Sequence, residues 1–300
     1  MTKHSHSVFC TCGASTLNTN AAKSKRVDPT MTGALRKRFE NAFIKRFKKL
    51  IREIKQQVVT DDGFGLKANN VFEFATDQAK VSGFMSWLQT RVDAVIFDGS
   101  LALPRSVAAD QSWMNTYVQT AYRRGLQEAT SDISKAGGSV AKTFLDTAFL
   151  RPVHADRAGI IYSRAYDSLV GITTEMSQQM SDVLAKGLLD GNNPTVIARA
   201  LADRVEKISI TRARLLARTE VIAAHAEAKL NTYEDANIQG VGLLSEMLTA
   251  GDDKVCEECE AYSAAGPYEV AAVHGVLPLH PNCRCTWIPV IINGKDIVLT

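Results

Sequence analysis

The sequence predicts a mainly α (α+β) protein: a multi-helix body with a small turn-rich C-terminal Cys/His unit that contains a few short strands. Three observations carry this. Apolar residues recur at three- and four-residue steps from Leu35 to Leu230, the period of a helix with one buried face. After Gly240 the period shortens, so that Val241–Thr249 and Thr286–Ile292 read as strands, and Pro267, Pro278, Pro281 and Pro289 exclude long helices between them. Four of the six cysteines then fall between Cys256 and Cys285. At 300 residues, 45% of them hydrophobic, the chain can bury a sizeable core and exceeds the usual size of one domain.

Residues 1–33 are rich in Ser, Thr, Asn and Lys and read as a mobile arm. The arm holds His4, His6, Cys10 and Cys12, whose spacing in a polar tail points to adventitious metal binding or none. From Leu35 to Val59 the residues Leu35, Phe39, Phe43, Phe47, Leu50, Ile54 and Val58 share one helical face. Asp61-Asp-Gly-Phe-Gly65 breaks that helix. A second apolar segment runs from about Val71 to Phe97 and ends at Asp98-Gly99. Ser106 can cap a helix to about Ser134, with Tyr117, Ala121, Arg124 and Glu128 on one face and Trp113 as its anchor. From Ala155 to Leu189 the stripe is Ile160, Ile161, Leu169, Ile172, Met176, Met180 and Leu184. Gly187 to Gly191 ends it, and Asn193-Pro194 opens the next helix as N-cap and first helical residue. A further helix starts near Ser209 or Thr211 and runs to about Asn237. These breaks divide the chain into the arm 1–33, a helical region 34–184 and a C-terminal unit 185–300.

The net charge of +3 hides an asymmetry. Arg36 to Lys55 carries nine Lys/Arg against two Glu, whereas Glu220 to the end carries four Lys/Arg against twelve Asp/Glu, so the two ends suit different partners. Arg36, Lys45, Arg46, Lys48, Lys49 and Arg52 lie opposite the apolar stripe of the first helix. They suit a solvated face of a packed helix, non-specific contact with nucleic-acid phosphates, or a membrane surface, although the stripe has no Trp. No apolar run is long enough to span a bilayer. The N-terminus lacks the apolar stretch of a secretory signal, and the cysteine spacing is unlike a disulfide-stapled secreted domain. A soluble protein made in a reducing compartment is expected.

Cys256 and Cys259 are three positions apart, a spacing at which two thiolates face one point. About twenty residues later His280, Cys283 and Cys285 offer soft ligands to complete a tetrahedron, with the fourth ligand open among them. A bound zinc would give folding energy to a unit with little apolar surface to bury. A disulfide or buried free thiols are the alternatives.

Ala217-Arg218-Thr219-Glu220 within a helix, then Cys256-Glu-Glu-Cys259, then His280-Pro-Asn-Cys283-Arg-Cys285, resembles the phage head morphogenesis family, that of the Mu F-like minor head proteins. The resemblance covers roughly residues 185–290. It implies a minor component of a tailed-phage head, virion-borne and assembled in the bacterial cytoplasm, with the portal protein, other head or scaffold proteins and packaged DNA as partners. It implies no catalysis, no small-molecule substrate and no membrane. It also implies that Cys256, Cys259, His280, Cys283 and Cys285 form the Cys/His site and that Arg218, Thr219 and Glu220 are the helical signature. Two departures touch packing: Leu244 and Met247 stand where the family often has a strand Trp, and Leu277-Pro278 where it often has Pro-Pro. The alternative is a zinc-dependent nucleic-acid enzyme or a toxin-associated domain. Against it, the zinc deaminases place a His-x-Glu before the CxxC and a Pro-Cys-x-x-Cys pattern, and His225-Ala-Glu227 is not followed by that pair. Glu220 is expected in a buried ion pair with another segment.

Overall fold

The computed structural model describes residues 28–67, 76–137, 139–140, 144–148, 151–238, 242–291 and 298–299. His4, His6, Cys10, Cys12 and the start of the segment expected from Val71 lie outside the described residues. Helix α1 (Gly33–Lys55) continues into one π-helical turn, Gln56–Thr60. Its predicted stripe of Leu35, Phe39, Phe43, Phe47, Leu50, Ile54 and Val58 is buried throughout. Phe43 stacks on Phe47 at 4.6 Å and Phe39 on Tyr117 at 4.8 Å. Arg36 departs from the expected basic face. It is buried, because the turn before α1 brings Asp28 onto its guanidinium.

Helix α2 (Asp77–Ile96) is capped by the Thr76 hydroxyl, which accepts from the Ala79 N–H at 3.1 Å. It ends on Asp98 and Gly99, both at positive φ. The single helix expected from Ser106 to Ser134 is in fact two, α3 (Arg105–Gln111) and α4 (Asn115–Lys135). The turn between them lets Trp113 Nε1 donate to the Ile96 carbonyl at 2.9 Å. The Asn115 side-chain amide donates to the carbonyls of Ala109 and Asp110, at 2.7 and 2.5 Å.

After a two-residue strand β1 (Ser139–Val140) and a short α5 (Phe144–Thr147), α6 (Pro152–Leu189) and α7 (Pro194–Ile238) form a long hairpin. Ile161, Leu169, Met176, Met180 and Leu184 are buried, but Ile160 is 64% exposed; Ala158, Ile161 and Ala165 take the inner face at that level. Asn193 Oδ1 accepts from the Val196 N–H at 3.0 Å, the predicted N-cap. The break expected near Ser209 is absent, because the Ser209 hydroxyl donates back to the Glu206 carbonyl at 2.9 Å within a continuous helix.

α7 is the centre of the molecule and packs on α1, α4 and α6. Every residue from Glu220 to Tyr233 is buried, including polar ones, several of which pair with α4 and α6. Lys229 Nζ lies 2.7 Å from Asp132 and 3.3 Å from Glu128, and His225 Nε2 lies 2.8 Å from Glu128. Asn231 donates to Tyr122 Oη at 2.7 Å. Tyr122 in turn meets His154 Nδ1 at 2.8 Å, and His154 Nε2 lies 3.2 Å from Asp235.

The crossing of α4 and α7 is close because Gly125 has no side chain. A Cβ there would fall 2.4 Å from the His225 carbonyl oxygen and 2.7 Å from Ala228 Cβ. Overpacking of this kind costs about 1–3 kcal/mol, so Gly125→Ala is expected to lower the midpoint of denaturant unfolding by that equivalent. An unchanged midpoint would show that the helices separate freely.

The C-terminal sheet has the order β3-β2-β4, all antiparallel, from β2 (Leu243–Leu248), β3 (Tyr268–Glu269) and β4 (Thr286–Ile291). A nine-residue helix, α8 (Glu257–Ala265), lies between β2 and β3, within the turn-rich unit whose prolines exclude only long helices. A short β5 (Val298–Leu299) pairs in parallel with β1. No helix among the described residues is long and apolar enough to cross a membrane.

Candidate metal centre

Cys256 is the N-cap of α8, and its Sγ accepts from the Cys259 N–H at 3.5 Å. The CxxC spacing thus becomes the first turn of a helix, where the free N–H groups and the helix dipole favour thiolates. His280 approaches from the loop before β4. Its Nε2 lies 3.2 Å from Cys256 Sγ and 3.1 Å from Cys259 Sγ, and Nδ1 is 2.8 Å from the Pro281 carbonyl. That carbonyl fixes the proton on Nδ1 and leaves the Nε2 lone pair toward the sulfurs, the usual support of a ligating histidine. Cys259, Cys283 and Cys285 form a second close triad, with 4.0 Å between the sulfurs of Cys259 and Cys283. Cys259 belongs to both triads.

Tetrahedral zinc with Zn–S near 2.3 Å and Zn–N near 2.0 Å sets ligand separations of about 3.8 Å for S···S and about 3.6 Å for S···N. The observed separations, 3.1 and 3.2 Å for S···N and 4.0 Å for Cys259 to Cys283, lie within about half an ångström of these values, and the site residues line a cavity of about 20 Å³, room for one ion. All four cysteines are free thiols. The donor set fits zinc: Cys256, Cys259 and His280 from the first triad and one thiolate from the second.

The thiols of the second triad act on one another. The Cys285 thiol and the backbone N–H groups of Cys285 and Leu279 hold the Cys283 thiol at about 5, against the pull of burial. Bonding to Cys283, together with burial, pushes the Cys285 thiol far up. Burial and the nearby Cys283 charge push Cys259 up to about 12. The fourth ligand lies between Cys283 and Cys285, the two remaining members of the second triad.

Two clamps hold the site. Arg284 makes a bidentate pair with Asp252, at 2.5 and 2.6 Å, joining the His280–Cys285 loop to the turn before Cys256. The Arg284 bond holds the Asp252 carboxyl at about 2. Arg218 of α7 donates to Asn282 Oδ1 at 3.0 Å and to its carbonyl at 3.4 Å, and Asn282 has φ of +70°. Burial, with the charges of Arg36 and Arg284, draws the Arg218 pKa below its ordinary value. A third link is His274, 2.7 Å from Glu227 and 3.1 Å from Glu234 of α7.

Supporting contacts of this kind are typically worth 10- to 100-fold in metal affinity. Arg284→Ala is therefore expected to weaken zinc binding by about that factor in a competition titration with a chelator. Unchanged affinity would mean that the loop holds its shape without the clamp.

Of the helical signature, Arg218 reaches the site and Glu220 points away from it. Glu220 pairs with Arg164 of α6 at 3.1 Å and is 2% exposed; burial raises its pKa even against that arginine. The basic residues of α1 form no part of the centre. Arg46 binds Asp98 at 2.7 and 3.0 Å, whereas Lys45, Lys48, Lys49 and Arg52 are exposed. Sequence reasoning missed the clamps Asp252, Arg284 and Asn282; the one signal was an arginine between two candidate ligands.

A thiolate pair on a helix N-terminus, facing a His-x-x-Cys-x-Cys loop and clamped to a long helix, defines a small Cys/His knuckle on a helical body. Residues 178–288 match the family described as Phage Mu protein F like protein, a match that supports the resemblance of this part of the chain to the phage head morphogenesis family. No curated protein and no solved structure matches the chain. The match spans the end of α6, all of α7 and both halves of the Cys/His site. Trp287 of β4 is wholly buried and pairs across the sheet with Met247.

Proposed function

We propose that this chain is a minor structural protein of a tailed-phage head, acting in head assembly at the portal vertex and retained in the virion. The supporting observation is the family match across 178–288, a structural and morphogenetic family that suggests a phage head-related protein. In this reading the portal protein and neighbouring head or scaffold proteins are the partners. Zinc is held by Cys256, Cys259, His280 and Cys283, where it cross-links α8 to the β4 loop. The chain's own residues then orient the unit: Arg284 closes the loop on Asp252, and Arg218 and His274 fasten it to α7. The helical region 34–184 is the body on which this C-terminal unit is mounted.

The test is a phage carrying a nonsense mutation in the gene, examined by electron microscopy and by mass spectrometry of purified heads. Defective heads in the mutant, with the protein present in wild-type particles, are expected. Normal titre, with the protein absent from purified virions, would overturn the reading.

Packaged DNA is a second proposed contact, supported by the exposed Lys45, Lys48 and Lys49. Replacing all three with glutamine is expected to weaken retention on duplex DNA and to flatten the dependence of log K on log salt by up to about 3. An unchanged slope would remove α1 from any DNA contact.

A further inference from the structure

Beside the basic face of α1 lies a groove of about 460 Å³. One wall is α1, with Lys45, Arg46, Lys49 and Arg52; the other is the end of α2 and the first turn of α4, with Asp98, Trp113 and Tyr117. Asp98 is its one carboxylate, and Arg46 neutralises it bidentately while also lying 4.6 Å over the Trp113 ring. Lys45, Lys49 and Arg52 remain, at i, i+4 and i+7 on one helical stripe. None of them forms an ion pair among the described residues. The groove therefore presents three uncompensated cations over an apolar floor.

The shape and the aromatic residues select the kind of anion. Single-stranded nucleic acid is held by bases stacked on free aromatic faces. Here Trp113 lies under Arg46 and donates its N–H to Ile96, and Tyr117 is stacked on Phe39. A duplex, as in the DNA contact proposed above, would meet Lys45, Lys48 and Lys49 from the outer surface and leave the concave cleft itself unfilled. Carboxylate side chains one helical turn apart match the lysine spacing, since residues three or four apart share a helix face.

Such a segment exists in this chain. Glu257, Glu258 and Glu260 of α8 are exposed and form no ion pair among the described residues, and Glu257 and Glu260 stand one turn apart. Within one molecule α8 packs on β2 and not on α1. We propose that the α1–α4 groove receives the acidic first turn of α8 from a second copy of this chain, in a head-to-tail contact. Such a contact joins a basic front to an acidic back, and repetition closes it into a ring or extends it. Exposed ion pairs are individually weak, so the association is concentration-dependent and salt-sensitive, and strengthens where copies are held side by side.

Sedimentation velocity of the full chain tests this at about 50 mM and about 500 mM salt, conditions that differ several-fold in screening length. The expected result is self-association at low salt that weakens about tenfold or more at high salt. Lys45→Glu with Lys49→Glu, and separately Glu257→Lys with Glu260→Lys, should each abolish it. An equimolar mixture of the two double variants should restore it, because each acidic groove then meets a basic α8. Zinc content and circular dichroism of each variant establish that the fold is intact. A wild type that stays monomeric at low salt, or a mixture that does not reassociate, overturns the proposal. So does a monomeric wild type that binds a short DNA duplex and loses that binding with Lys45→Glu and Lys49→Glu, which would give the groove to nucleic acid.

Discussion

Cys259→Ser is expected to release the metal and unfold the C-terminal unit while leaving the helical body folded. Cys259 is the sulfur common to both ligand triads and is 2% exposed, so no neighbour can replace it without moving α8. A structural zinc site contributes binding energy of order 10 kcal/mol to folding, and three ligands retain only part of it; a loss of several kcal/mol should follow. Elemental analysis should fall from about one zinc per chain to well below it. Hydrogen exchange should quicken over 243–291 and stay slow in α1 and α4. Cys285→Ser is the discriminating control. In the proposed ligand set Cys283 is the fourth ligand and Cys285 is not, so Cys285→Ser should keep its zinc with lowered affinity, whereas Cys283→Ser should lose it. Retention of zinc by Cys259→Ser, or equal loss from both second-triad variants, would show that the ligand set is different.

Lys229→Ala should destabilise the helical body by about 3–5 kcal/mol, the usual cost of removing one partner from a buried ion pair. That corresponds to a fall of roughly 10 °C in Tm. Lys229 is fully buried between Glu128 and Asp132, and its loss leaves two mostly buried carboxylates facing an apolar gap.

The same cluster gives a pH dependence. Burial alone would raise the Glu128 carboxyl, but the His225 hydrogen bond and the Lys229 charge outweigh it and hold it at about 2. Burial lowers the pKa of His225, and His225 and Lys229 both act to lower Glu128. A carboxyl depressed in the folded state contributes stability that is complete above its unfolded pKa, near 4.5, and is lost as pH falls toward about 2. The wild type should therefore lose up to about 3 kcal/mol across that window. Lys229→Ala should lose much less, because its Glu128 begins less depressed. Parallel pH profiles for the two proteins would dismiss the lysine as the source.

The parts of the fold that could be read from the sequence are those governed by apolar period and by local capping. The α1 stripe was correct to the residue and the Asn193-Pro194 opening was also found, while the strands expected at 241–249 and 286–292 are the shorter β2 (Leu243–Leu248) and β4 (Thr286–Ile291). Contacts between distant segments could not be read this way. Arg36 belongs by period to the basic face, and only the folded turn carrying Asp28 shows that it is buried. His225, Lys229, Asn231 and Asp235 look like the solvent side of α7. They are interior because α4 and α6 bring Glu128, Asp132, Tyr122 and His154 to them across separations of about 80 to 110 residues. At the candidate metal centre the Cys and His residues that come together were legible from spacing, since CxxC and His-x-x-Cys are local patterns. The clamps were not, because Arg284–Asp252 and Arg218–Asn282 join positions 32 and 64 residues apart.

Glu128, Asp132, Tyr122 and Gly125 all belong to α4, which precedes the family-matched segment, yet they complete the interior of α7 within it. Genes of this kind cannot be spliced freely. A recombination junction anywhere between Lys135 and Pro194 would join α7 to a foreign partner helix. The chimera would fold only if that helix supplied carboxylates at the levels of His225 and Lys229 and a residue without a side chain where the two backbones touch. Compatibility of the two halves is thus written into one helix–helix seam, and drift on either side of it is constrained by the other.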